Sequence, residues 1–132
     1  MIDPNVWIAG LISPLGAPAA VVRAVGEGEL TAVVTEQILD ELAVVLARSK
    51  FRRWISLDDA VAFVEALRGE ADVLPDPNVV GRRVRDPDDD YLVAVALAAG
   101  ATIVTGDSDL LEAGLEPPAV TPRQLLDRLA RP

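Results

Sequence analysis

The carboxylates come first. Between Arg85 and Tyr91 the chain carries Asp86, Asp88, Asp89 and Asp90, four acids in five positions, and Asp107 and Asp109 follow an Ala-rich apolar run. Acids this close repel one another unless a cation stands between them. Helix capping and dipole complementarity account for one or two of them. The excess points to a bound cation. The chain has no His and no Cys, which removes imidazole and thiolate ligands and every Ser–His or Cys–His nucleophile. Ionisable chemistry at neutral pH then rests on carboxylates, Lys50, Tyr91 or arginines. An all-oxygen ligand set of this kind selects Mg²⁺ or Mn²⁺.

Local signals place these acids at the ends of elements. Asp86-Pro87 blocks a helix upstream, and Asp88 or a neighbour caps a helix running to Ala99, which Gly100 ends. Asp89 shares a face with Leu92, Val93 and Ala96, so it starts that helix toward the core. Thr102–Thr105 reads as a short buried parallel strand. It delivers Asp107 at its carboxyl end, the edge where ligands bind in open α/β sheets. Ser108 or Asp107 then caps a short helix through Ala113, in which Asp107 and Asp109 also read as cap and first-turn residues.

Upstream, Pro18–Val25 has helical spacing, Leu30–Val34 reads as a strand, and Thr35 opens a helix through about Arg48. In that helix Ile38, Leu39, Leu42, Val45 and Leu46 form one apolar arc. Glu36 and Asp40 fall on the far side, and Glu41 lies at the arc's edge. A carboxylate there is costly unless paired or metal-bound; a salt bridge to Arg48 or Arg52 accounts for Glu41 as well as a metal does. Lys50–Trp54 is a basic, aromatic connector, Asp58–Arg68 an amphipathic helix, Ala71–Leu74 a short strand and Pro75–Val80 a linker. Ala119–Val120 is a brief strand, and Thr121 and Pro122 open a last helix to about Leu129. At the start, Asp3-Pro4-Asn5 reads as a turn. Only Met1 and Ile2 precede it, so a first strand is truncated or the encoded start lies upstream.

The element order β-α-β-α-α-β-α-β-α-β-α predicts one domain over residues 1–132, a three-layer α/β/α sandwich around a mostly parallel sheet. A net charge of −9 argues against a surface that coats nucleic acid generally. The basic residues nevertheless cluster, as Arg48, Lys50, Arg52 and Arg53, and as Arg82, Arg83 and Arg85. Two such patches beside an acidic centre suit a phosphate-bearing substrate. No apolar run approaches bilayer length, no secretory signal is visible, and the lack of Cys fits a reducing, cytoplasmic compartment. Hydrophobic residues make up 51% of the chain, which leaves apolar surface for a homodimer.

Taken together, IDPNVW, the TEQILDEL helix, RSKFRRW, DPDDDYLVAVALAAGA, IVTGDSDLL and TPRQLL resemble the PIN-domain proteins, close to the VapC-type toxin ribonucleases of toxin–antitoxin pairs. The resemblance spans essentially the whole chain. It implies metal-assisted hydrolysis of RNA phosphodiester bonds with one or two divalent ions, and an acidic site at Asp3, Glu41, Asp89 and Asp107. Asp109 would be an auxiliary metal ligand, with Asn5 and Thr105 as supporting polar groups and Asp86, Asp88 and Asp90 as helpers behind the ligands or through water. The family's spacing to Ala96-Leu97 selects Asp89 over Asp90. The implied partner is a small antitoxin that puts an amphipathic helix or a basic side chain into the acidic pocket. One position departs: the family carries a small hydroxyl residue after the first Asp, and here Pro4 stands. That departure sustains a second reading, a catalytically weak binding or regulatory module. A phosphoacceptor domain also gathers acids at strand ends, but Lys50 lies in the wrong context for one.

Overall fold

A computed structural model of the chain describes residues 1–77 and 87–131, with residues 87–89 described by backbone alone. Asp86, Arg82, Arg83 and Arg85 lie outside the described residues, as do the side chains of Asp88 and Asp89.

Asp3-Pro4-Asn5, expected as a turn, instead starts helix α1 (Pro4–Ile12). The Asn5 N–H donates to Asp3 Oδ1 at 2.9 Å, and Pro4 sits at the first helical position, where its missing N–H costs nothing and its fixed φ suits the helix. Trp7 then buries one face of α1, meeting Phe63 edge-on at 5.8 Å between ring centroids. Helix α2 (Ala17–Gly26) crosses α1 closely. A Cβ on Gly10 would stand 2.6 Å from Val22 Cγ2 and 2.9 Å from the Pro18 carbonyl oxygen, so only glycine fits this crossing.

Strand β1 (Val33–Thr35) pairs in parallel with β2 (Asp72–Leu74), Val34 opposite Val73. A second parallel patch bridges Ile2 to Val104 and Val104 to Val120. There the Asp3 N–H donates to the Val104 carbonyl and the Thr105 N–H to the Val120 carbonyl, both at 2.9 Å. Every pairing among the described residues is parallel, as expected for an α/β chain. The strands are shorter than expected: Thr102–Thr105 and Ala119–Val120 contribute single bridge residues, Val104 and Val120. Gly100 and Gly106 flank the first, and Pro118 and Pro122 the second, so little extended chain is available to pair.

Between the strands run α3 (Glu36–Leu46), a 3-10 turn (Ser49–Arg53), α4 (Leu57–Glu70), α5 (Pro87–Ala99), α6 (Ser108–Leu111) and α7 (Pro122–Leu129). The caps at Thr35, Asp107 and Thr121 are among those the sequence predicts. Thr35 caps α3, Ser56 caps α4, Asp107 caps α6, and Thr121 with Gln124 closes a reciprocal capping box on α7. Ile38, Leu39, Leu42 and Leu46 of α3 are fully buried, with Val34, Val93, Ile103 and Leu110 around them. Among the described residues, no single helix is long and apolar enough to cross a membrane.

Candidate metal centre

The parallel pairings give the two patches a common carboxyl edge, and polar groups collect there. Asp3 follows Ile2, Thr35 ends β1, Asp76 follows β2, and Thr105 and Asp107 follow Val104. A cavity of about 910 Å³ opens beside them, with Asp3, Asp76, Tyr91 and Asp107 on its lining.

Asp3 is the buried acid of this edge, 5% exposed. Its two oxygens are held separately. Oδ1 accepts the Asn5 N–H at 2.9 Å, and Oδ2 accepts the Thr105 hydroxyl at 2.8 Å. The same Thr105 oxygen accepts the Asp107 N–H at 3.0 Å, and Asp107 Oδ1 accepts the Asp109 N–H at 2.9 Å. One fully buried hydroxyl thus links the two sequence-distant acids. Asn5 contributes its backbone; its side chain is exposed on the cavity wall.

The sequence has relatives among known proteins. The PIN domain family matches residues 1–109. The chain belongs to the PIN domain family. It is also 29% identical over 111 residues to the uncharacterized protein MJ1680 of Methanocaldococcus jannaschii, across 84% of this chain and 72% of that protein. PIN domains are generally nucleases, and those nucleases generally use divalent metals.

In this PIN domain the donor chemistry at Asp3 suits such an ion. A nearly buried carboxylate is held by a hydroxyl and an amide N–H, both neutral, and an oxygen donor set takes hard cations. Asp107 is half-buried beside it, and Glu41 lines the same cavity from α3. Asp109 serves α6 as its first-turn acid. Among the described residues no three acids come close enough to hold one ion. Asp89 stands in the first turn of α5. Its neighbour Asp90, cast as a helper, is buried at 6% exposure.

The face of α3 away from the core, where Glu36 and Asp40 were placed, turns out to be a cavity wall. Glu36, Asp40 and Val44 line it as one i, i+4 row that Arg48 continues past the helix end, and Gln37, Glu41 and Val45 as the next. Glu36 also accepts from Arg68 on α4. The first basic cluster divides. Arg48 and Lys50 line the cavity, Arg52 donates to the Leu46 and Arg48 carbonyls at the end of α3, and Arg53 lies over the Trp54 ring.

Sequence reasoning missed a hydroxyl relay. Thr35 Oγ1 and Tyr91 Oη stand 2.6 Å apart, and Tyr91 donates to Asp76. Because the phenol proton goes to the carboxylate, Thr35 donates to Tyr91, while its oxygen accepts the Ile38 N–H at 3.3 Å. Burial first, then the Asp76 hydrogen bond and the charges of Asp76 and Glu41, push the Tyr91 phenol up to about 12, against a smaller opposite effect of Thr35. The relay fastens the start of α5 to the ends of β1 and β2. Asp76 falls in the predicted linker, and nothing in its local sequence marks it.

Proposed function

We propose that this PIN domain is a divalent-metal-dependent endoribonuclease, and that it acts in the cytoplasm as the toxin of a toxin–antitoxin pair. The observation that carries the reading is the Asp3–Thr105–Asp107 constellation at the carboxyl edge, opening on a cavity that also presents Arg48 and Lys50. In this reading Asp3, Glu41, Asp89 and Asp107 hold Mg²⁺ or Mn²⁺, with Asp109 auxiliary, on the expected three-layer α/β/α frame. The ion, when bound, supplies Lewis acidity for phosphodiester hydrolysis. The chain's own residues do the rest. Thr105 and the Asn5 N–H fix both oxygens of Asp3, so the carboxylate is oriented before substrate arrives. Arg48 and Lys50 contact the RNA backbone and set its register without reading sequence.

Pro4 is compatible with this role. Its ring occupies the first helical position, and Asp3 takes its hydroxyl hydrogen bond from Thr105 instead. The proposed partners are a cognate antitoxin whose basic side chain enters the acidic cavity, and a second copy in a homodimer. A mixed RNA panel incubated with Mg²⁺, Mn²⁺ or EDTA, wild type beside Asp107→Asn, tests the reading. Metal-dependent cutting that the variant loses supports it. A folded, antitoxin-free protein that cuts nothing with either metal sinks it.

A further inference from the structure

The turn Ser49–Arg53 and the residue after it carry an aromatic surface, Phe51 and Trp54, to which the proposed function gives no role. Lys50 Nζ lies 5.1 Å from the centroid of the Phe51 ring, and Arg53 Cζ lies 4.9 Å from that of Trp54. The two rings are 6.5 Å apart and inclined by 50°. Their exposures differ sharply: Phe51 is buried, whereas Trp54 is 50% exposed. Lys50 and Phe51 line the cavity beside Asp3 and Asp107, so Trp54 stands one ring beyond its wall.

A cation over an exposed ring is common surface packing, and by itself decides nothing. Three further observations favour a ligand. The chain buries its other tryptophan, Trp7, almost completely, so leaving an indole half in water is not for lack of a core. Four of the twelve basic residues fall within positions 48–53 of a chain whose net charge is −9, which makes this turn a local site of opposite sign. The turn is also held in place, since the Arg52 guanidinium ties it to the carboxyl end of α3. A half-exposed indole with Arg53 over its ring and Lys50 over the neighbouring one, beside a site proposed for phosphodiester chemistry, combines a π surface for a base with charges for the adjoining phosphates.

We propose that Trp54 is a stacking platform for an unpaired nucleobase of the bound RNA strand, with Lys50 and Arg53 contacting the phosphates on either side of that base. The platform rests on the proposed function only for the choice of RNA. It selects single-stranded over duplex RNA, because a paired base has its faces already covered by its neighbours.

The test measures binding without cleavage, in EDTA, using the Asp107→Asn chain and a fluorescently labelled oligouridylate. Heparin serves as a polyanion without bases, and an RNA duplex as a ligand without free ones. Adding Trp54→Ala should weaken oligouridylate binding about tenfold, a typical loss for one base–aromatic stack. Trp54→Phe should recover most of it, and heparin affinity should move less than about twofold in either. Indole emission should fall on adding the oligonucleotide and not on adding heparin. Equal losses for heparin and oligouridylate would overturn the proposal, because they would mean that removing the ring only disperses the cations. Unchanged oligouridylate affinity in Trp54→Ala, or an oligonucleotide that binds neither chain, would overturn it as well. Base-dependent binding in a wild-type protein that cuts nothing with metal would leave the platform standing and refute the nuclease reading alone.

Discussion

Thr105 is the residue on which the centre turns. Its hydroxyl donates to Asp3 and accepts from the Asp107 amide, all within a fully buried setting. Thr105→Val keeps the shape and leaves two polar groups without their partner, so urea denaturation should show a loss of about 1–3 kcal/mol alongside weaker cleavage. Asp107→Asn should separate those effects. Asn caps helices about as well as Asp, so α6 should persist and the melting temperature stay close to wild type, while RNA cleavage falls at least about a hundredfold, as expected when a group acting on a metal or transition state is neutralised. Tyr91 allows a cleaner measurement still, because it is the chain's single tyrosine. Phenolate absorbance should titrate near 12 in the wild type, and Asp76→Asn should move the midpoint down toward the ordinary value of about 10. Since the folded pKa is the higher one, the stability this phenol contributes is whole below about 10 and is lost as pH rises through about 12. Residue types announced Asp3 and Asp107, the two acids that the Thr105 hydroxyl links. The Thr105–Asp3 and Thr35–Tyr91–Asp76 contacts were not legible, because they join residues brought together only by strand pairing and by the docking of α5.

At the scale of elements, local chemistry was the readable part. Thr35 and Thr121 each cap the helix that their sequence context predicts, since a cap is decided within four residues. Helix α1 was missed although its signal is local too: an acid followed by proline at the first helical position is as good a helix start as it is a turn. Strand length was unreadable, because a parallel ladder is set by partners distant in sequence. The wheel of α3 placed Ile38, Leu39, Leu42 and Leu46 in the core correctly but put Val45 with them, whereas Val45 is half-buried and lines the cavity; nor could it say that the non-core face borders a cavity and not open water. The α1–α2 crossing gives a prediction of this scale. Alanine favours a helix interior over glycine by about 1 kcal/mol, yet Gly10→Ala should destabilise the protein. The Pro18 carbonyl that its Cβ would meet at 2.9 Å belongs to backbone and cannot swing aside. Overpacking of this kind costs about 1–3 kcal/mol, and thermal unfolding should register the deficit.

For the molecule as a whole, net charge and local charge oppose each other. A chain at −9 should hold RNA through few phosphate contacts. With Arg48, Lys50 and Arg53 engaged, log affinity should fall against log salt with a slope of about −2, much shallower than for a basic RNA-binding domain. A slope steeper than about −4 would place additional cations on the RNA and contradict binding through these three alone. Overall alternation of strand and helix was legible from composition and period; how the parts of the carboxyl edge share rigid supports was not. The Arg52 anchor on α3 is one such support. Through it the turn before Trp54 is tied to the carboxyl end of the helix that carries Glu41, so in the proposed reading the separation between a stacked base and the hydrolysed bond is held like the jaws of a gauge. Such an enzyme would cut at a constant nucleotide offset from the base it grips, whatever the length of the RNA on either side.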